Sequence, residues 1–190
     1  MKHILNALFA TTLLMLTGCG SFLASVESNP IEDDPGERTF GQWIEDNNIE
    51  TKAIVNIHAA DETFHEAHIN VVAYNGYVLI AGQVSSEELK QKATDVVREI
   101  RDVRRIYNEL EIAAPSSGMT RTSDTWITAK VKSYLIGSSE TEGTRVKVLT
   151  ENGVVYLMGL ATQAEAERIA DKAASLSGVQ RVVKLFELID

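Results

Sequence analysis

The apolar and polar positions of the chain repeat one pattern twice. Residues 69–84 and 146–161 each alternate between apolar and polar side chains on either side of an Asn-Gly dipeptide. The two dipeptides begin at Asn75 and Asn152, 77 residues apart, and a glycine follows each asparagine seven residues later. Because Asn-Gly supplies the two positive φ angles of a type I′ turn, both segments are predicted β-hairpins.

Helical periodicity surrounds each hairpin. The segment after the first hairpin places on one face Leu89, Ala93, Val96 and Ile100. The segment after the second hairpin places on one face Ala166, Ile169, Ala173 and Leu176. Ser85 and Thr162 are the predicted N-caps of these two helices. Further helices are predicted at residues 40–60 and 125–136, and a final strand ends each half, so the predicted unit is α-β-β-α-β.

We therefore expect two tandem domains, each built from one α-β-β-α-β unit. The first domain is predicted to cover residues 39–114 and the second residues 123–190, joined by a linker at 115–122. Residues 19–38 contain two prolines, two glycines and an acidic run without apolar periodicity. Such a composition is typical of a tether.

The helix predicted before the second hairpin carries a tryptophan beside its apolar face. That face, with spacing i, i+4, i+7, i+8, consists of Ile127, Val131, Tyr134 and Leu135. Trp126 lies about 100° from Ile127 around a helix of 3.6 residues per turn. Ser123 or Asp124 is predicted to cap the N-terminus of this helix. Two interpretations of Trp126 remain: it packs against the sheet edge or the first domain, or it meets an apolar surface outside the protein.

The repeat assigns counterparts to these residues in the first domain. Ile49 is predicted to match Trp126, and Glu50 is predicted to match Ile127. The other tryptophan, Trp43, follows Phe40 and precedes Ile44 at helical spacing. These three side chains are predicted to form an apolar edge that covers the first domain.

The N-terminal residues predict export and lipid attachment. Residues 4–16 are mostly apolar and follow Lys2, a pattern typical of a secretory signal peptide and too short to span a bilayer. The sequence Leu16-Thr17-Gly18-Cys19 matches a bacterial lipobox. Residues 1–18 are thus the expected signal peptide, and Cys19 is expected to carry covalent diacylglyceryl and N-acyl lipid. The alternative is an ordinary secretory signal with an incidental cysteine.

The expected lipid anchor has two consequences. Two acyl chains are enough for stable membrane attachment, so no further membrane device is required. Cys19 is the only cysteine, so the chain cannot form an internal disulfide. Because no aspartate follows Cys19, we expect sorting to the periplasmic face of the outer membrane.

The distribution of charge differs between the two predicted domains. The whole chain has a net charge of −9, which argues against nucleic-acid binding. Residues 39–114 contain 7 basic and 13 acidic residues, whereas residues 120–190 contain 9 of each. Anionic bilayers attract basic side chains and repel acidic ones. The second domain is therefore the better candidate for membrane contact.

The repeated unit resembles the BON domain, a family of bacterial envelope proteins associated with phospholipid binding. The segments that carry the resemblance are INVVAYNGYVLIAGQV, IYNELEI, VKVLTENGVVYLMGL and SGVQRV. The order of lipobox, tether and two such units resembles the outer-membrane lipoproteins with two BON domains. This resemblance implies an α+β fold with two tandem domains, each a small three-stranded mixed sheet packed against two helices that lie on one face of the sheet. It also implies a non-catalytic activity, in which anionic phospholipids such as phosphatidylglycerol or cardiolipin are bound and outer-membrane integrity is maintained.

The first helix of the second domain is the candidate binding site. We expect Trp126 to insert into the bilayer and Lys130 to pair with head-group phosphate. Thr125 and Ser133 are expected to add hydrogen bonds, and the loop at Gly137 to contribute at the end of the helix. The alternative is a periplasmic adaptor that binds a protein partner through the same helix. A contact between the two domains is also expected.

The sequence contains little to suggest catalysis. The second domain has neither histidine nor cysteine, which removes the commonest general base and nucleophile. His65 and His68 lie near three acidic residues, but we interpret this segment as a solvated loop and predict no metal site.

Overall fold

The computed structural model describes residues 36–138, 140, 141 and 143–189. It contains two successive α-β-β-α-β units, so the predicted fold class is confirmed. The helices are α1 (Phe40–Ala60), α2 (Glu87–Arg98), α3 (Gly118–Gly137) and α4 (Gln163–Ala174). The strands are β1 (His68–Tyr74), β2 (Tyr77–Val84), β3 (Arg105–Ile112), β4 (Lys147–Glu151), β5 (Val154–Met158), β6 (Leu160–Ala161), β7 (Arg181–Lys184) and β8 (Glu187–Leu188). Short 3₁₀ helices at Glu62–Glu66 and Gly143–Arg145 precede the hairpins.

Each unit contains a mixed sheet with the hairpin strands antiparallel and the last strand parallel. In the first sheet, of order β1-β2-β3, His68 pairs with Gln83 and Tyr77 pairs with Arg105. The second sheet has the order β4-β5-β7, and a separate pair, β6 and β8, follows it. Gly159 lies between β5 and β6, where a Cβ atom would meet the carbonyl oxygen of Arg145 at 2.9 Å. A side chain at this position would therefore disrupt the start of the hairpin.

Both Asn-Gly dipeptides form the predicted turns. The φ angles are 50° and 75° at Asn75 and Gly76, and 48° and 73° at Asn152 and Gly153. All four values lie in the left-handed region that a type I′ turn requires. The two hairpins are therefore confirmed.

An aspartate from the first helix of each domain holds the tip of the hairpin. Asp46 accepts hydrogen bonds from the backbone N–H groups of Asn75 and Gly76, at 2.8 and 2.9 Å. Asp124 accepts the equivalent bonds in the second domain. This equivalence aligns Ile49 with Ile127, so Trp126 corresponds to the residue before Ile49. The predicted match of Ile49 with Trp126 is wrong by one residue, because the aspartates, rather than the apolar pattern alone, determine the register.

The helices cover one face of each sheet, and the opposite faces of the two sheets pack together. The core of the first domain includes Ile49, Ile57, Phe64, Ile80 and Leu110, and that of the second includes Ile127, Val131, Leu135, Val155 and Leu157. A third cluster joins the sheets through Tyr74, Leu79, Ala81, Val154, Tyr156, Met158 and Leu185. The order of layers is helix, sheet, sheet, helix, which explains why the residues of β2 and β5 are buried on both faces.

Polar contacts also join the domains. The guanidinium of Arg104 donates to both carboxylate oxygens of Glu187, at 2.9 and 2.7 Å. Glu151, which is 5% exposed, accepts from the side-chain amides of Asn70 and Gln83 at 3.0 and 2.9 Å. The expected contact between the domains is thus present. The buried carboxylate of Glu151 therefore has hydrogen-bond donors from the other domain, as buried polar groups usually do.

Two predicted helix starts differ from the structure. Helix α3 begins at Gly118 rather than at residue 125, because the hydroxyl of Ser117 caps it by accepting from the backbone N–H of Thr120 at 3.1 Å. Residues 118–122 of the predicted linker are therefore helical, and neither Ser123 nor Asp124 is the cap. Helix α2 is capped by Ser86 instead of Ser85.

The N-cap of α4 follows the prediction. The hydroxyl of Thr162 accepts a hydrogen bond from the backbone N–H of Glu165 at 3.3 Å. In return, the carboxylate of Glu165 accepts one from the backbone N–H of Thr162 at 2.8 Å. These two bonds form a capping box.

The predicted apolar edge of α1 is the clearest error in the sequence-based picture. Phe40, Trp43 and Ile44 are 74%, 48% and 42% exposed. Helix α1 directs Asp46 and Ile49 toward the domain interior. This rotation places Phe40 and Trp43, in the first turn of the helix, on the outside.

The predicted signal peptide, Cys19 and the tether up to residue 35 lie outside the described residues. In the part of the chain that the structure describes, no helix is long and apolar enough to cross a membrane.

Candidate functional site

Trp126 points away from the protein. Its side chain is 67% exposed, whereas Ile127 is 5% exposed and Val131 is fully buried. The interpretation that Trp126 packs against the sheet edge or the first domain is therefore wrong. The exposed indole presents an apolar ring together with an N–H donor, a combination that is enriched at protein and membrane interfaces.

Two contacts hold the helix that carries Trp126. Near its middle, the ammonium of Lys130 donates to the carbonyl and hydroxyl oxygens of Ser177, at 2.8 and 3.0 Å. Two residues before Trp126, the buried carboxylate of Asp124 binds the tip of the second hairpin. The indole thus extends from a helix fixed to two separate loops of the same domain.

The exposed side of α3 is more apolar than the sequence indicated. Met119 is 84% exposed and lies seven residues, or two helical turns, before Trp126. Tyr134 and Ile136 are 42% and 50% exposed near the other end. Met119 was not predicted as a surface residue of this helix because residues 118–122 show no apolar periodicity. The signal that could have found it is Ser117, a good N-cap residue directly before Gly118.

The charges exposed on this helix are all positive. Arg121, Lys130 and Lys132 are its basic residues, and Asp124 is its only carboxylate. Asp124 is 5% exposed and directs both oxygens toward backbone N–H groups. The helix therefore presents cations to the outside without a competing exposed carboxylate, although its domain is neutral overall.

The structure brings four of the five predicted binding residues to one side of α3. Trp126, Lys130, Ser133 and Gly137 are separated by three or four residues in succession, which places them along one face. Thr125 lies on the neighbouring flank, and its hydroxyl donates to the carbonyl of Arg121 at 2.9 Å. The hydroxyl of Thr125 can therefore still accept a hydrogen bond from a ligand, whereas its proton is already used.

A shallow cleft lies at the C-terminal end of the same face. It is lined by Ser133, Tyr134, Gly137, Ser138, Glu140 and Lys172. Lys172 donates to Glu140 across 2.8 Å, and this contact lowers the pKa of the Glu140 carboxyl and raises the pKa of the Lys172 ammonium. This ion pair leaves the end of the helix without strong net charge.

No group of three or more histidine, cysteine, aspartate or glutamate side chains within residues 36–138, 140, 141 and 143–189 is arranged to hold a metal ion. We expected His68 to lie in a solvated loop, and this prediction is wrong. His68 begins β1, and its Nε2 lies 3.3 Å from the carboxylate of Glu151 in the domain interface.

Comparison with protein families finds the BON domain at residues 45–114 and again at residues 123–190. The chain belongs to the BON domain family. The two matched regions correspond to the two α-β-β-α-β units, so the resemblance noted from the sequence is confirmed for both halves.

Similar proteins occur in several bacteria. This BON-domain protein is 34% identical to "Outer membrane lipoprotein DolP" of Haemophilus influenzae, over 97% of this chain and 95% of the relative. It is 35% identical to "21 kDa hemolysin" of Actinobacillus pleuropneumoniae, over 80% of this chain and 78% of the relative. It is 24% identical to "Osmotically-inducible protein Y" of Escherichia coli, over 94% of this chain and 93% of the relative.

The first of these relationships extends over nearly the full length of both proteins. It confirms the prediction of a DolP-like protein with two BON domains. It also confirms the predicted location, at the periplasmic face of the outer membrane with a lipid anchor. The attachment of lipid to Cys19 and the chemistry of that lipid stay predictions.

Proposed function

We propose that this protein is a non-catalytic envelope protein that binds anionic phospholipid through the outer face of α3 and thereby supports outer-membrane integrity. The observation that carries the proposal is the exposure of Trp126 on a helix whose only carboxylate is buried. The ligand that fits is a bilayer containing phosphatidylglycerol or cardiolipin, because these head groups are anionic.

The physical chemistry of the face suits a bilayer interface. An indole combines an apolar ring with an N–H donor, and it prefers the boundary between acyl chains and head groups. Each basic side chain near an anionic surface contributes about 1 kcal/mol of attraction. Arg121, Lys130 and Lys132 thus supply long-range attraction, and Trp126 supplies insertion.

The individual residues have different roles in this proposal. Lys130 is held by Ser177, so it presents its charge from a fixed position and has one remaining N–H for a phosphate oxygen. Ser133 and Thr125 offer hydroxyls to the head groups. Gly137 has no side chain, and a head group can therefore approach the end of the helix closely.

The lipid anchor makes even a weak contact effective. A module tethered to the membrane meets the bilayer as an intramolecular event, at an effective concentration set by the tether. The face of α3 then determines how the domain is oriented on the bilayer, because the anchor already provides attachment.

The test is vesicle co-sedimentation of the mature chain with Cys19→Ser, which carries no lipid. Trp126→Glu is expected to keep the fold, since the side chain is exposed, and to lose binding to vesicles containing phosphatidylglycerol or cardiolipin. Val55→Glu is the matched control, because Val55 is 58% exposed on the first helix of the other domain. Circular dichroism checks that both variants remain folded.

Unchanged co-sedimentation of the Trp126→Glu variant would remove the proposal. If the unsubstituted protein does not bind protein-free vesicles at all, the exposed indole binds a protein partner instead, as expected for the periplasmic adaptor. Tryptophan is a common centre of protein interfaces, so this outcome has a clear physical basis.

A further inference from the structure

A second exposed aromatic cluster lies on the first domain. Phe40 and Trp43 stack in the first turn of α1, with ring centroids 5.7 Å apart and planes 17° apart. With Ile44 they form an apolar patch, which we call the α1 patch, and all three side chains are at least 42% exposed. Neither the core of the domain nor the contact between the sheets uses these residues.

The α1 patch is locally neutral, although its domain is acidic. Three neighbouring carboxylates each have a cationic partner, in the pairs Asp46 with Arg38 at 2.6 Å, Glu37 with Arg145 at 3.8 Å, and Glu45 with Lys52 at 3.8 Å. The first turn of α1 itself contains no acidic residue. The net negative charge of the domain therefore does not oppose contact between this patch and an uncharged lipid surface.

The patch lies where the chain leaves its tether. Phe40 follows Cys19 by 21 residues, which span at most about 75 Å when fully extended. The start of α1 is also next to the end of α3. Glu37 pairs with Arg145, and a Cβ atom on the nearby Gly143 would lie 2.2 Å from the carbonyl carbon of Leu135 in α3. A short series of contacts therefore connects the α1 patch with the C-terminal end of the proposed lipid-binding helix.

The size of the patch fits a bilayer better than a protein. A fully buried aromatic side chain covers about 150–250 Å², so three partly exposed side chains offer roughly 300 Å². A standard protein interface needs about 800 Å² from each partner. A bilayer needs no such area when a covalent anchor already supplies attachment.

We propose that Phe40, Trp43 and Ile44 form a second bilayer-contact site, which inserts into the leaflet that holds the lipid on Cys19. This site acts through apolar insertion and does not need anionic head groups. The inference goes beyond the proposed function, because it concerns the other domain and a different lipid chemistry. Together the anchor, the α1 patch and α3 would hold the two domains in one orientation on the membrane.

The two tryptophans make a direct test possible, since the chain contains only these two. The lipidated protein is reconstituted in phosphatidylcholine vesicles whose acyl chains carry bromine, a quencher of indole fluorescence. In the Trp126→Phe variant the emission comes from Trp43, and it is expected to fall at least about twofold relative to vesicles without bromine. In the Trp43→Phe variant, Trp126 is expected to require phosphatidylglycerol for the same effect.

Two further variants test the patch as a unit. In the Trp126→Phe background, Ile44→Ser is expected to weaken the quenching of Trp43, whereas Val55→Ser, at the other end of the same helix, leaves it unchanged. If brominated lipid does not quench Trp43 while aqueous iodide does, the patch remains in water and the inference is wrong. If neither reagent quenches it, a protein or a second copy covers the patch, which also overturns the inference.

The two proposals fail separately in this design. If brominated phosphatidylglycerol vesicles do not quench the emission of Trp126, the proposed function of α3 is contradicted, whatever the result for Trp43. If only the quenching of Trp43 is absent, only the second site is contradicted.

Discussion

The carboxylate of Asp124 accepts a hydrogen bond from the backbone N–H of Gly153 at 2.9 Å, and this bond joins α3 to the tip of the second hairpin. Asp46 makes the same bond with Gly76 in the first domain. Both aspartates are at most 5% exposed. Because Trp126 follows Asp124 by two residues, the bond to Gly153 fixes the helix from which the indole extends.

Asp124→Ala is predicted to destabilise the protein and to weaken vesicle binding. The substitution leaves the N–H groups of Asn152 and Gly153 without their charged acceptor, at a cost of about 3 kcal/mol. Urea unfolding monitored by circular dichroism measures the loss. Asp46→Ala is the control: a similar loss of stability is expected, but binding of the folded protein to anionic vesicles is retained. Equal effects of the two substitutions on binding would contradict the role of Asp124 in holding α3.

Met119→Ser is predicted to weaken binding to anionic vesicles about fivefold, because a large apolar side chain is removed from the insertion face. Met119 is 84% exposed, so the free energy of unfolding should change by less than about 0.5 kcal/mol. Co-sedimentation at several lipid concentrations measures the change. An unaltered affinity would limit the contact to the later turns of α3.

Lys132→Gln is predicted to reduce the affinity for phosphatidylglycerol vesicles about fivefold at low ionic strength, because one cation near the surface contributes about 1 kcal/mol. In about 1 M salt the difference should disappear through screening. Lys184→Gln makes the same change of charge on β7, at the sheet edge opposite β4, and should have a smaller effect. Equal effects would mean that only the total charge of the domain matters.

Stability is predicted to fall at alkaline pH as Tyr156 ionises. Tyr156 is 3% exposed between the two sheets, and burial raises its pKa to about 12. The folded protein favours the neutral phenol, and the stability that the buried neutral phenol contributes is fully present below the ordinary pKa of about 10. It is lost as pH rises from about 10 to 12, and amounts to about 2–3 kcal/mol. Urea unfolding at pH 9 to 11.5 measures it.

Tyr156→Phe is the control for this dependence, because it removes the ionisable group and keeps the ring. Between pH 10 and 12 its free energy of unfolding should fall less steeply than that of the unsubstituted protein. Parallel curves would show that other groups cause the alkaline loss.

The local structure of this protein is largely encoded in short segments. Asn75-Gly76 and Asn152-Gly153 form the predicted turns because positive φ angles are a property of those residues themselves. Thr162 caps α4 because its partner, Glu165, lies three residues away. Their repetition at a nearly constant separation made the two-domain fold predictable as well.

Only the tertiary structure decided the register between the domains and which apolar side chains beside a buried helix face stay exposed. The register between the domains follows from Asp46 and Asp124, whose partners lie about 30 residues away and leave no trace in the apolar pattern. The exposure of Trp126 and Trp43 likewise depends on the rotation of α3 and α1 over their sheets. A tryptophan beside an apolar face has the same sequence pattern whether it is buried or exposed, because burial is determined by distant elements that pack around it.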